Sequence, residues 1–186
     1  MPLTPPHFPG DDALDRDTRV LVWMTILAVV AGILAGAAGG AFRWVLIKAN
    51  HLRLEIVTWS HDLGGLGWLI PVAVSAAAAV AAAQIARKIP LAAGSGIQHV
   101  EAVQRDEAEA APLRILPARF VGGILSIGIG GLVLGREGPT VHMGATIGAW
   151  LAGVVRGTRD DIRTMQSALA GAGLAVAFNA PISGTL

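Results

Sequence analysis

The sequence contains no cysteine, few aromatic residues (5%) and little charge (15% of its 186 residues). Without cysteine, neither a disulfide framework nor a thiolate metal site can form. The net charge of +1 gives none of the basic surface that binds nucleic acid, and no nucleophile–base–orienter set indicates an enzyme. The five histidines lack the spacing of metal ligands, and we expect no metal and no cofactor: His7, His51, His61, His99 and His142.

The scarcity of charge indicates a membrane protein. A soluble domain carries about a quarter charged residues, whereas here charges fall in short clusters between long apolar stretches, because charge is costly inside hydrocarbon. Glycine is abundant, with 24 residues, and small residues let helices approach closely in lipid. The apolar stretches lack the alternation of β-barrel strands, so we predict an all-α, polytopic helical bundle.

Two stretches, residues 20–42 and 63–86, are long enough to cross a bilayer, since about 20 apolar residues span its hydrocarbon. The acids and four prolines of residues 1–17 predict a disordered tail before them. We expect residues 18–186 to form a single transmembrane unit.

The first of these spans carries signals for its packing and for its end. Gly32, Gly36 and Gly40 recur at every fourth residue, which predicts a face for close helix packing. Basic residues follow, and we expect them to close the span: Arg43, Lys48 and Arg53.

Beyond Pro90 the apolar segments become short and are interrupted by glycine and proline. The pattern predicts a short helical segment to residue 104, a polar linker over 105–111, apolar stretches over 120–134, 139–155 and 165–186, a charged turn at 156–163 and a break at 179–181. Arg114 and Arg119 precede the first of these stretches, and we expect their long side chains to snorkel. Such interrupted segments are typical of helices that end inside a membrane and point their termini at an ion.

The segment Gly135-Arg136-Glu137-Gly138-Pro139 lies between two of these short stretches. Pro139 suits the first turn of a helix, where no backbone N–H is needed, so Glu137 would stand at a helix start. A helix N-terminus carries about half a positive charge and binds anions. Glu137 can occupy that site or swing away and admit a free anion, and its protonation would couple the anion to a proton. The alternative interpretation is that Glu137 only caps the helix and pairs with Arg136.

The segment Gly94-Ser95-Gly96 follows the same logic, with a hydroxyl between two glycines at the start of a short helix. The hydroxyl and nearby N–H groups can bind a halide without a full positive charge nearby, so that the ion can also leave. The alternative interpretation is an ordinary serine N-cap.

Three segments together resemble signatures of the CLC family of chloride channels and chloride/proton antiporters, and they stand in that family's order. They are Gly94-Ser95-Gly96-Ile97, Gly135-Arg136-Glu137-Gly138-Pro139-Thr140-Val141-His142-Met143-Gly144 and Ala177-Phe178-Asn179-Ala180-Pro181. The resemblance covers nearly everything from about residue 18 onward.

The resemblance implies a fold of two inverted halves per subunit, a homodimer with one pore in each subunit, and a multi-pass protein of a bacterial inner or plasma membrane. It implies transport of chloride, as a channel or as a chloride/proton antiporter. Ser95 would be the central chloride-coordinating hydroxyl and Glu137 the gating glutamate. The other residues that the resemblance assigns to the anion site are Gly94, Gly96, Ile97, Arg136, Gly138 and Pro139.

Two departures from the family pattern limit what the resemblance implies. Gln98-His99 stand where the family often has Pro-Glu, which could alter the short helix. We also expect the 186 residues to represent the N-terminal half alone, so channel and antiporter are not separated. Two alternatives therefore stay open: another secondary transporter with broken helices, and a membrane subunit without transport activity.

We predict that residues 1–186 alone insert into a membrane but do not transport chloride, because the anion site of this architecture needs helix ends from both halves. The measurement is chloride efflux from vesicles that contain only this polypeptide. Robust, saturable efflux would contradict the prediction that these residues form half of a pore.

Overall fold

The computed structural model describes the backbone of residues 11–180 and the side chains from Val22 onward. In that range all regular structure is helical, which confirms the predicted all-α class. The α-helices are α1 (Asp11–Asp62), α2 (Leu69–Lys88), α3 (Ile97–Gln104), α4 (Ile115–Gly123), α5 (Glu137–Val154) and α6 (Arg159–Phe178). A 3-10 turn, Pro90–Ala92, precedes α3, and a π-helical segment, Ile124–Ile129, continues α4.

Helix α1 is longer at both ends than the sequence predicts. It begins at Asp11, so residues 11–17, assigned above to a disordered tail, are helical, and residues 1–10 lie outside the described residues. It also continues past Arg43, where the first span was expected to close. No glycine or proline interrupts residues 43–62, and the helix ends only where Gly64 and Gly65 adopt positive φ angles of 59° and 50°.

Arg43 and Arg53 contact other elements instead of ending the helix. The Arg43 guanidinium donates a hydrogen bond to the Asn179 side-chain oxygen over 3.4 Å, at the end of α6. Arg53 donates to Asn50 over 2.8 Å, and its side chain lies beside Gly131, after the π-helical segment. These residues therefore connect α1 to the ends of two other elements.

The predicted glycine face of α1 does not pack against the other described elements of the chain. Beyond the adjoining turns of α1 itself, no atom of the described residues lies within 4 Å of the positions that a Cβ would take on Gly32, Gly36 or Gly40. The buried face instead carries Ala31, Ala35, Phe42 and Ala49. Ala31 and Ala35 precede Gly32 and Gly36 by one residue, which is about 100° around a helix.

Helices α1 and α2 are the two described helices that are long and apolar enough to cross a membrane, in agreement with the two predicted spans. Few of their apolar side chains are buried within the chain. Ile33 and Val80, for example, are 66% and 59% exposed. Such surfaces suit contact with lipid or with further protein.

Helix α5 lies at the centre of the described structure and is buried along most of its length. It packs along α6 so closely that a Cβ on Gly144 would overlap the Leu169 carbonyl oxygen, and one on Gly173 would overlap the Thr140 carbonyl oxygen. The principal apolar core joins α5 and α6 to α1 through Ala31, Ala35, Ile147, Leu151, Ala152, Met165 and Leu169.

The charged stretch at 156–163 is mostly helix rather than turn. Helix α6 begins at Arg159, and Thr158 and Asp161 cap it reciprocally, a pattern of hydroxyl and acid three residues apart that the sequence analysis missed. Arg163 forms an ion pair with Asp106 of the polar linker. This ion pair connects the linker to α6. The hydrogen bond from Arg163 also lowers the pKa of the Asp106 carboxyl below its usual value.

We predict that Gly144→Ala destabilises the protein, because the added methyl would overlap a backbone oxygen of α6 and overpacking costs about 1–3 kcal/mol. Gly153→Ala is the matched control, since α5 has open space there. The measurement is thermal unfolding of the complete gene product in detergent. Equal midpoints for the two variants would contradict the close contact of α5 with α6.

Candidate functional site

The loop before α3 and the first turn of α5 meet in direct backbone contact. A Cβ on Gly138 would lie 2.6 Å from the Ser95 carbonyl oxygen, 2.9 Å from the Ser95 Cα and 3.0 Å from its Oγ. Real Cβ atoms do not approach other atoms so closely, so only glycine fits at this contact. The structure thus brings together the two motifs that the sequence analysis selected.

A cavity of about 650 Å³ opens beside this contact, between α2, α4 and the start of α5. Its walls are mostly apolar, and alanines of α2 form one side. Six of the eight predicted site residues line it: Gly94, Ser95, Ile97, Glu137, Gly138 and Pro139. The other two, Gly96 and Arg136, are not part of its lining.

Glu137 is the first residue of α5 and is half-buried. Its carboxylate folds back toward Gly135, where a Cβ would meet the Glu137 Oε2 atom. Among the described residues it forms no ion pair with Arg136, and no side chain caps α5. Arg136 instead takes the N-cap position, and its carbonyl oxygen accepts a hydrogen bond from the Thr140 hydroxyl over 3.1 Å. The geometry therefore leaves the Glu137 carboxylate beside the cavity, with no hydrogen-bond or ion-pair partner among the side chains that the structure describes.

Ser95 lies one residue before the N-cap of α3. The N-cap is Gly96, in the left-handed region at a φ of 81°, and Gly94 has a φ of 63°. The Ser95 hydroxyl accepts only a long hydrogen bond, 3.4 Å, from the Ile97 N–H. The helix forms over Ile97–Gln104, so Gln98 and His99 do not prevent it.

Arg119 is a part of the site that the sequence analysis missed. The prediction that it snorkels is wrong, because α4 begins at Ile115 and Arg119 is only 3% exposed. Its Nη1 donates to the Gly94 carbonyl over 2.5 Å, and its Nη2 donates to the carbonyls of Leu91 and Ala93 over 3.0 and 3.1 Å.

This position also corrects the argument that Ser95 has no full positive charge nearby, since Arg119 lines the same cavity. The loop carbonyls need donors because no helix or sheet pairs them. A lone arginine at the edge of an apolar segment was the available signal.

Two histidines lie behind the same loop. His142 of α5 is fully buried, and its ring centroid lies 5.3 Å from that of His99. A Cβ on Gly96 would lie 2.5 Å from both His142 Nδ1 and Arg119 Nη2. In the described part of the chain, neither His142 ring nitrogen has a hydrogen-bond partner. The sequence separation of His99 and His142 gave no sign of this contact.

The N-terminal ends of α3 and α5 both border the cavity. The first turn of a helix has free N–H groups and a partial positive charge. Together with the Ser95 hydroxyl they can stabilise a small anion, and the Glu137 carboxylate can compete for the same place. Ser126 also lines the cavity, and its hydroxyl donates to the Gly122 carbonyl over 2.7 Å.

Comparison with known sequences agrees with this geometry. Residues 75–186 match the family described as voltage gated chloride channel. The chain is similar to the H(+)/Cl(-) exchange transporter ClcA of Citrobacter koseri, with 36% identity over 175 residues that cover 93% of this chain and 37% of that protein. Its similarity to ClcA of Cronobacter sakazakii is 37% identity over the same shares.

Comparison with solved structures gives the same result. A slow cyanobacterial Cl-/H+ antiporter superposes with a TM-score of 0.81 and 31% identity, over 87% of this chain and 38% of that chain. A CLC-type fluoride/proton antiporter superposes with a TM-score of 0.64 and 30% identity, over 89% and 38%. This chain thus spans 37–38% of the length of these four relatives. Since the family match covers more than half of the chain and includes α5 and the loop at Ser95, the chain belongs to the voltage gated chloride channel, or CLC, family of membrane proteins.

Proposed function

We propose that the complete gene product is a multi-pass transporter that exchanges chloride for protons, and that Glu137 is its gate and proton carrier. The observation that carries the proposal is the position of the Glu137 carboxylate, which lies at the N-terminus of α5 on the cavity that Ser95 also lines. The names of the two sequence relatives, both H(+)/Cl(-) exchange transporters, support the same activity.

The proposed mechanism is a competition between two anions for one electropositive place. Ionised Glu137 is attracted to the free N–H groups at the start of α5 and excludes a free anion. Protonation removes that charge and weakens the attraction, so the side chain can leave and chloride can enter. Gly135, two residues before Glu137, has no side chain in the space that the Glu137 carboxylate occupies. Protonation of Glu137 and entry of chloride into the place that Glu137 leaves are therefore coupled through one residue.

Membership of the CLC family sets aside the alternative of an unrelated transporter with broken helices. A measurement of anion flux through the complete gene product distinguishes the proposed transporter from a membrane subunit without transport activity. We propose chloride rather than fluoride as the preferred anion, because the superposition on the Cl-/H+ antiporter is closer than that on the fluoride/proton antiporter. By the same family resemblance, we propose homodimers of complete subunits in a bacterial inner or plasma membrane.

We predict that Glu137→Gln abolishes proton coupling while chloride passage persists or rises, because an amide imitates the protonated side chain and does not titrate. The measurement is the paired recording of chloride efflux and proton uptake in vesicles that contain the complete gene product. The recordings cover a pH range from about 4 to about 8.

The matched control is Glu101→Gln, which removes an exposed acid of α3 that pairs with Arg105 over 3.3 Å. This variant should keep the wild-type ratio of protons to chloride. If Glu137→Gln kept the pH dependence of the wild type, Glu137 would not be the gate.

We predict that Ser95→Pro shifts the preference between chloride and nitrate by about tenfold or less without abolishing transport. The substitution removes one hydroxyl donor, and a hydrogen bond contributes about 0.5–1.5 kcal/mol net. The measurement is the flux ratio of the two anions in vesicles.

Ser167→Ala serves as the control for this substitution. The Ser167 hydroxyl lies on the exposed face of α6 and donates a hydrogen bond to the side-chain oxygen of Gln104, at the end of α3. An unchanged ratio in Ser95→Pro would count against Ser95 as a ligand of the anion.

A further inference from the structure

We propose that Arg119 is a positioning residue for anion binding, which acts by holding the loop that presents Ser95. The proposal deepens the function proposed above and rests on it. Arg119 does not need to touch the anion for this role. Its guanidinium binds the backbone on the N-terminal side of Ser95 and thereby determines where the hydroxyl stands.

The first step of the argument is the set of carbonyl groups that Arg119 binds. Its two terminal nitrogens donate to the carbonyl oxygens of Leu91, Ala93 and Gly94. These three groups lie within four consecutive residues immediately before Ser95. A planar guanidinium with donors in fixed directions can hold three such oxygens in one arrangement, whereas an ammonium group cannot impose the same geometry.

The second step is electrostatic. A carbonyl oxygen carries partial negative charge and repels an anion, so unpaired oxygens beside Ser95 would oppose chloride binding. Arg119 turns these oxygens toward itself and offsets their charge. Three of the five guanidinium N–H groups donate to the loop, and the Arg119 Nε atom is buried without a hydrogen-bond partner among the described residues. The buried cation therefore adds positive potential beside Ser95 mainly through its charge. A site built in this way attracts the anion but also lets it leave.

The third step is the contact of the same loop with α5. Gly96 lies against both the Arg119 guanidinium and the His142 ring, with no room for a Cβ. The Ser95 backbone in turn touches Gly138 at the start of α5. The loop is therefore fixed between α4 and α5, and loss of the Arg119 bonds would move Ser95 relative to the α5 N-terminus.

The test is a double-mutant cycle in the complete gene product, with chloride affinity measured by calorimetry in detergent and by the concentration dependence of efflux. We expect Arg119→Met to weaken chloride binding about tenfold, because several charged hydrogen bonds are lost. If Arg119 acts through Ser95, the two effects are not additive. The variant with both Arg119→Met and Ser95→Ala should therefore bind chloride within about twofold of the weaker single variant.

Two further variants separate positioning from general damage. Arg119→Lys should recover only part of the affinity and leave chloride binding about threefold weaker than in the wild type, because the ammonium restores the charge but not the fixed arrangement of donors. Arg114→Met is the matched control, since Arg114 is exposed at the start of the same helix, and it should leave affinity unchanged. If Arg119→Met does not yield folded protein, the cycle is run with Arg119→Lys, whose effect should vanish in the Ser95→Ala background.

The outcomes distinguish this proposal from the proposed function. If the wild-type protein moves chloride but Arg119→Met binds it with wild-type affinity, the positioning role is wrong and the transport function stands. Fully additive effects of the Arg119 and Ser95 substitutions, in either cycle, overturn the positioning role as well. If the wild-type protein moves no anion in vesicles, the transport function itself is wrong, and the positioning role is wrong with it.

Discussion

The backbone contact between Ser95 and Gly138 is the constraint on which the rest of the site depends. It brings the start of α5 against the loop before α3, with no side chain between them. The Glu137 carboxylate and the Ser95 hydroxyl border one cavity because of this contact. The burial of α5 against α6 supports it from the other side, since a helix that is enclosed along most of its length cannot shift its first turn freely.

The sequence predicted the chemistry of the two motifs better than it predicted the groups that support them. Glycine and proline around Glu137 and Ser95 fix where helices start, and this information is local. The bonds of Arg119 to residues 91–94 and the contact of His99 with His142 join residues far apart in the chain. No local pattern encodes such a contact, so only the fold reveals it.

The errors at the ends of elements have a similar physical origin. Arg43 was interpreted as the end of a span because basic residues often mark a membrane surface. A helix, however, ends where its backbone is interrupted, and that interruption comes only at Gly64. The glycines of α1 were interpreted as a packing face, but small size permits close contact without requiring it. Ala31 and Ala35, one position before Gly32 and Gly36, form the contact instead, together with Phe42.

The π-helical segment Ile124–Ile129 has a consequence for how the length of the chain can vary. Its hydrogen bonds include one from the Gly130 N–H to the Leu125 carbonyl, over 2.8 Å. A turn closed across five residues holds one residue more than an α-helical turn. The loss of one residue there would convert the turn to ordinary α-helix, while Arg119 before it and Glu137 after it could keep their places. A change of one residue in the length of this segment can thus be taken up as a change of helix type.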